Sequence, residues 1–336
     1  MNATLYTGNG TSSTVLNGVS GQSFQPDLVW IKSRGTANQH NLIDSVRGVG
    51  FRLRSDGTNA DEATPGTFTL NSNGFTTTTS NVSFNTNGDP LVAWNFKAGG
   101  TAVTNTSGTI SSQVSANTTS GFSIVTYTGT GANATVGHGL GVAPSMIIAK
   151  RRSTTGYWPV YHISLGNNQG FFLNLTNAVN SQPNLWNSTT PTSSVFTVGT
   201  DTETNASGTT LVAYCWAPIA GYSAFGSYTG NGSTDGPFVY LGFRPRFVLI
   251  KASSRVDDWK LIDTSRDTYN LSTQKLYPNL SAAENGSSGE TSATNTMDIL
   301  SNGFKLRTSN SGTNESAATY IYACFAENPF KYANAR

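Results

Sequence analysis

Two Asp-x-x-Arg pairs, Asp44 with Arg47 and Asp263 with Arg266, are the first residues whose type and spacing could do chemistry. A carboxylate and a guanidinium three residues apart can face a ligand, or they can close on each other and fix the end of a hairpin. The structural reading is favoured. A third, equivalent position carries His162 and Leu165, so both partners are lost together, as expected of a pair that acts as a unit. Flat aromatics beside polar loops point to carbohydrate, and Tyr157, Trp158 and Trp259 are the candidate stacking platforms. Trp158 and Trp259 are equivalent in position, which also suits a core or hairpin role. His40, His138 and His162 lie far apart without metal-ligand spacing, so no metal centre is expected. The acidic pairs Asp61-Glu62 and Asp257-Asp258 fall in apparent turns and read as solvated charge. Calcium held by loop oxygens is the one cofactor left open. There is no nucleophile elbow, and no helix follows Gly137-His138-Gly139-Leu140-Gly141 to make a phosphate cradle. The chain is therefore expected to be non-enzymatic.

The elements that hold these residues recur three times. Tyr6-Thr7-Gly8 returns as Tyr127-Thr128-Gly129 and Tyr228-Thr229-Gly230. Downstream of each copy, a proline opens an apolar run that ends in lysine: Pro26 to Lys32, Pro144 to Lys150, Pro245 to Lys251. Short β-branched runs bounded by Pro or Gly predict buried strands, and each is followed by a second strand carrying Asp44, His162 or Asp263. Ser72-Asn73-Gly74-Phe75 and Ser301-Asn302-Gly303-Phe304 predict tight Asn-Gly turns, for which Ser194-Val195-Phe196 is substituted in the middle copy. Each copy closes on a hydrophobic strand that ends at Phe96, Trp216 or Phe325. The repeated lysines are expected to lay their stems over a sheet edge and keep the amine wet.

This spacing predicts an all-β chain of three tandem antiparallel β-sandwich domains, 1–100, 101–226 and 227–336, with 101–120 as a linker or added edge strand. Each domain is large enough for its own core. Between the second and third, the connection is too short for slack. Charged residues make up only 11%, replaced by Thr, Ser, Asn and 35 glycines, and the formal net charge is +2. That balance offers no electrostatic footprint for nucleic acid. No apolar run is long enough to span a bilayer, and neither a basic n-region nor an apolar h-region opens the sequence, so no signal peptide is expected. Cys215 and Cys324 sit at corresponding positions of two copies and read as buried free thiols, consistent with synthesis in a reducing cytoplasm.

Phe122-Ser123-Ile124-Val125-Thr126-Tyr127-Thr128-Gly129, the Gly137 to Pro144 segment and Ile147-Ile148-Ala149-Lys150-Arg151-Arg152 resemble an uncharacterised domain family of tailed-bacteriophage structural proteins, particularly those of marine bacteria. Phe24 to Lys32, Asp44-Ser45-Val46-Arg47-Gly48 and Val92-Ala93-Trp94 carry the same resemblance in the first copy, and Phe243 to Lys251 in the third. The resemblance implies a virion component with a concanavalin-like or SPRY-like jelly-roll sandwich, made in the host cytoplasm and carried on the particle exterior. Its expected role is a tail-associated fibre or adhesin that shows loops to host-surface polysaccharide. Capsid decoration is the alternative, and a polysaccharide-degrading tailspike the enzymatic outsider. Expected partners are other virion proteins and further copies of the chain, a trimer being favoured. What repeats is scaffold, so specificity should lie in the loops of roughly 48–71, 166–193 and 267–300.

Overall fold

The computed structural model describes residues 1–18, 23–80, 83–287, 291, 293–294 and 296–328. Its elements are almost all strands, with three single-turn helices. Each copy builds the same antiparallel sheet, in the order opening, closing, core and hairpin strand. In the first, these are Asn2–Thr7, Pro90–Phe96, Leu28–Ser33 and Asn41–Asp44. The second uses Phe122–Thr128, Thr210–Trp216, Met146–Arg151 and Val160–His162. The third uses Ser223–Thr229, Thr319–Ala326, Pro245–Ala252 and Lys260–Asp263. Its opening strand therefore starts ahead of the boundary expected at 227. The stretch 101–120 contributes two strands, Val103–Asn105 and Ser112–Asn117, which pair beside the second opening strand.

A smaller sheet covers one face of each main sheet. In the first unit Ser13–Leu16, Gly74–Thr77 and Phe68–Asn71 lie over the core strand, enclosing Val29, Ile31, Phe68, Phe75 and Ala93. Here the glycine of the predicted Asn-Gly turn answers a close approach. A Cβ at Gly74 would sit 2.0 Å from the Val15 carbonyl oxygen, and one at Gly303 would sit 2.0 Å from that of Val239.

The alternate residues of the same strands face the other way, and there the units pack against one another, in addition to the separate clusters of units one and two. Trp30, Trp94 and Phe96 join Met146, Ile148 and Trp216 and then Phe247, Leu249 and Phe325 in one apolar cluster. Phe96, Trp216 and Phe325, the last aromatics of the closing strands, meet there, with Phe96 ring centroids 5.8 Å from Trp216 and 5.4 Å from Phe325. The lining is so tight that it leaves a void of about 10 Å³, too apolar to hold a water. Strands buried on both faces read as continuous apolar runs, which is why the core strands do not alternate.

Polar joints close the three units into a ring. The residue eight past each lysine reaches a carbonyl of the neighbouring unit. Trp158 Nε1 donates to Arg54 O and Gly57 O at 3.0 Å, Trp259 Nε1 to Phe172 O at 2.9 Å, and His40 Nε2 to Tyr277 O at 2.9 Å. One backbone bond recurs at every joint: Asp61 N–H to Arg152 O, Val179 N–H to Ser253 O, and Glu284 N–H to Arg34 O. Unit two thus docks on one, three on two, and one on three, so the chain builds a pseudo-threefold ring from its own repeats.

Candidate functional site

Both Asp-x-x-Arg pairs are parts of these joints. Asp44 accepts from Arg47 Nε and from the backbone N–H groups of Val46 and Arg47, and it also takes the Tyr214 hydroxyl of unit two at 2.8 Å. Asp263 repeats the set, with Arg266 Nε at 2.6 Å and the indole N–H of Trp94, in unit one, at 3.0 Å. The pairs do fix their hairpin ends, and they also bind neighbouring units. Each arginine extends the network. Arg47 meets Asp61, which meets Arg152 of unit two, while Arg266 meets Glu284, which meets Arg34 of unit one. Asp61 is therefore no solvated turn charge. Asp258 also lies in a bonded turn, accepting from Asn279 and Ser287, and Asp257 pairs with Lys260.

At the third joint, His162 stands where the aspartates stand. Its Nε2 donates to Tyr322 O at 3.1 Å, and its Nδ1 accepts the Ser164 N–H. Without a carboxylate nearby, burial pushes its pKa down to about 4. His40 is held neutral in the same way, its Nδ1 accepting from Trp30 Nε1. His138 spends both ring nitrogens on backbone groups of Thr192 and Leu140. Among the described residues no three His, Cys, Asp or Glu side chains gather as a metal site. Cys215 and Cys324 are free and buried.

The repeated lysines are placed differently from the expectation. Lys32, Lys150 and Lys251 are fully buried, and their ammonium groups do not reach water. Lys150 Nζ donates to Arg151 O and crosses to Thr58 O of unit one; Lys251 Nζ donates to Ala252 O and crosses to Asn177 O of unit two. For Lys150 and Lys251 a carbonyl of the adjoining unit thus supplies an acceptor that the isolated unit lacks, while Lys32 Nζ donates to Ser33 O of its own strand. Desolvation lowers Lys251 to about 7 and Lys32 and Lys150 to about 8.

Trp158 and Trp259 are 0% and 1% exposed. With their faces covered and their N–H groups committed across joints, they are not platforms for an outside ligand. Tyr157 is different. It is 43% exposed and lines an open groove of about 380 Å³ with Phe172, Leu175, Asn177, Asn180, Gln182, Asp201, Thr202 and Glu203. Its ring leans on Phe172, centroids 5.6 Å apart. Beneath, Arg151 pairs with Glu203 at 2.6 Å, and Glu203 accepts the Tyr157 N–H at 2.7 Å. Burial raises the Glu203 pKa, opposed by Arg151. Asp201 caps the turn Thr202–Asn205 by accepting the Glu203 N–H. The far rim is set by pairing of Gln169 with Ser181 and Gly170 with Asn180.

Apart from Tyr157, the groove residues escape motif reading because they do not repeat. Position 157 is Gln39 in copy one and Asp258 in copy three, and five of the lining residues fall within the variable 166–193 loop. A repeated feature was also missed. Asn85, Asn205 and Asn314 each stand six residues before the first apolar residue of the closing strand (Leu91, Leu211 and Tyr320). Each is buried, with its amide bonded to two loop carbonyls or more. The spacing was there to be found.

Comparison with known proteins gives one result. The chain belongs to a family described as a domain of unknown function, DUF7483, which matches residues 1–329. Neither a curated protein nor a solved structure matches it.

Proposed function

We propose that this DUF7483 member is a non-enzymatic structural protein of a tailed-bacteriophage virion, carried on the particle exterior as a tail-associated adhesin. The observation that carries the reading is the ring itself. Three repeat units are joined through buried polar contacts and a shared apolar centre, with parts of the non-repeating loops spent on the joints and the Tyr157 groove open at the surface. Binding functions concentrate on loops held by such scaffolds. The motif resemblance to phage structural domains supplies the context. In this reading the threefold symmetry expected of a homotrimer is met within one chain, which would let a single copy seat on a threefold partner.

That same symmetry favours capsid decoration as the second reading, one copy serving each local threefold position on the shell. Gold labelling of intact particles with an antibody against the chain, combined with copy counting, tests the two. Label at the tail with few copies is the expected result. Label over the head at shell stoichiometry would transfer the assignment to decoration, and absence from purified particles would overturn both.

A further inference from the structure

We infer that the groove of the middle unit binds an uncharged sugar segment of a glycan, with one pyranose face laid on Tyr157. The inference names the ligand class of the surface loops and rests on the adhesin reading only for where the contact would be made. The Tyr157 ring is exposed and held by Phe172 behind it, and an aromatic face of this kind covers the apolar C–H face of a sugar without losing much side-chain entropy. The backbone N–H of Tyr157 is tied to Glu203, and Glu203 to Arg151, so the platform is set before any ligand arrives.

Around that platform the polar groups match hydroxyls. Asn180 stands exposed and Gln182 half-buried on the rim, bonded to each other at 3.2 Å. Each amide offers both donors and an acceptor, as each sugar hydroxyl does. The Gln182 side chain lies over Gly170, where an added Cβ would come within 2.4 Å of it, so the rim is positioned by packing as well as by strand pairing. The volume of about 380 Å³ falls in the range of small-ligand sites.

Charge selects the class. The cation beneath the groove, Arg151, is spent on Glu203, and the carboxylate of Asp201 lines the wall. An anionic sugar would meet carboxylates without a free counter-charge, so uronates and sugar phosphates are disfavoured. The other two units carry no copy of this arrangement: Gln39 replaces the tyrosine in one, and in the other Asp258 is bonded to Asn279 and Ser287.

Saturation-transfer NMR on the full chain tests the inference, with maltotriose, cellotriose, laminaritriose and triacetylchitotriose as neutral probes and trigalacturonate as the acidic one. At least one neutral probe is expected to bind, with trigalacturonate weaker. Tyr157→Ala should weaken that binding about tenfold or more while Tyr157→Phe keeps it. Gln182→Lys, a change at the half-buried rim, should shift preference toward trigalacturonate. Failure of every neutral probe, binding that survives Tyr157→Ala, or an unmoved preference in Gln182→Lys would each overturn the assignment. Sugar binding by the purified chain is independent of particle location, so this failure and a failure of the labelling experiment are separately visible.

Discussion

Removing one oxygen should show whether the three units are one body. Tyr214→Phe deletes the hydroxyl that crosses from unit two to Asp44 of unit one at 2.8 Å, and both residues are buried. Asp44 keeps Arg47 and two backbone N–H donors, so the pair survives and only the crossing bond is lost. A hydrogen bond to a charged group contributes about 1.5–3 kcal/mol. If the shared centre makes unfolding all-or-none, that loss is felt everywhere. Amide exchange followed by mass spectrometry in the global-opening regime would read it. The core strands Leu28–Ser33, Met146–Arg151 and Pro245–Ala252 should all exchange about 10- to 150-fold faster in the variant. The third strand decides the matter, because Pro245–Ala252 lies in the unit that the deleted bond does not touch. Acceleration confined to the first two units would refute the single-body argument and return the chain to a string of separate domains.

Three further outcomes are expected. His162 is buried neutral with a folded pKa of about 4 against an unfolded value of 6.5. The stability this gives is full above pH 6.5 and fades as pH falls toward 4, by about 3 kcal/mol, so urea midpoints should drop with acid more steeply in the parent than in His162→Asn. Lys251 has the same sign in a higher pH window. Its folded pKa of about 7 lies below the unfolded 10.5, so the unfolded chain holds the extra proton and stability rises with pH, by about 2 kcal/mol between pH 7 and 9. Urea titrations of Lys251→Met at the two pH values should show that rise flattened. Asn205→Ala removes donations to Ala132 O and Gly199 O and an acceptor for Thr130 N–H, and it should cost about 3 kcal/mol by denaturant melts.

The strands were legible in the sequence because their signal is local. An apolar run entered from proline is a buried strand whatever lies beyond it, and the repeats gave three readings of each. The all-β fold follows from that. The fate of the polar residues was not legible in the same way. A lysine at a strand end keeps its amine wet on an isolated sheet, but Lys150 is capped by Thr58 O of another unit. Asp61 looks like turn charge until Arg152 arrives from across the joint. Both misreadings have one cause: partners about a hundred residues away belong to a surface that exists only after the units dock. Tyr157 and Trp158 are neighbours in sequence, yet one is open and the other sealed, a distinction set by which side of the joint each faces.

Fusing the repeats into one chain changes what each position is free to become. In a ring of three identical chains every joint is the same, and any substitution appears three times. Here the joints have diverged in matched pairs. Where the hairpin strand offers aspartate, the closing strand of the next unit answers with Trp94 or Tyr214; where it offers His162, the equivalent residue is Ala323 and the neighbouring Tyr322 carbonyl takes the bond. A donor opposite histidine would leave a buried group unpaired, so the alanine and the histidine are two halves of one change. The same freedom lets the middle unit alone carry the Arg151–Glu203 pair and the groove above it. The symmetry holds the ring together, and its breaking confines that groove to one unit.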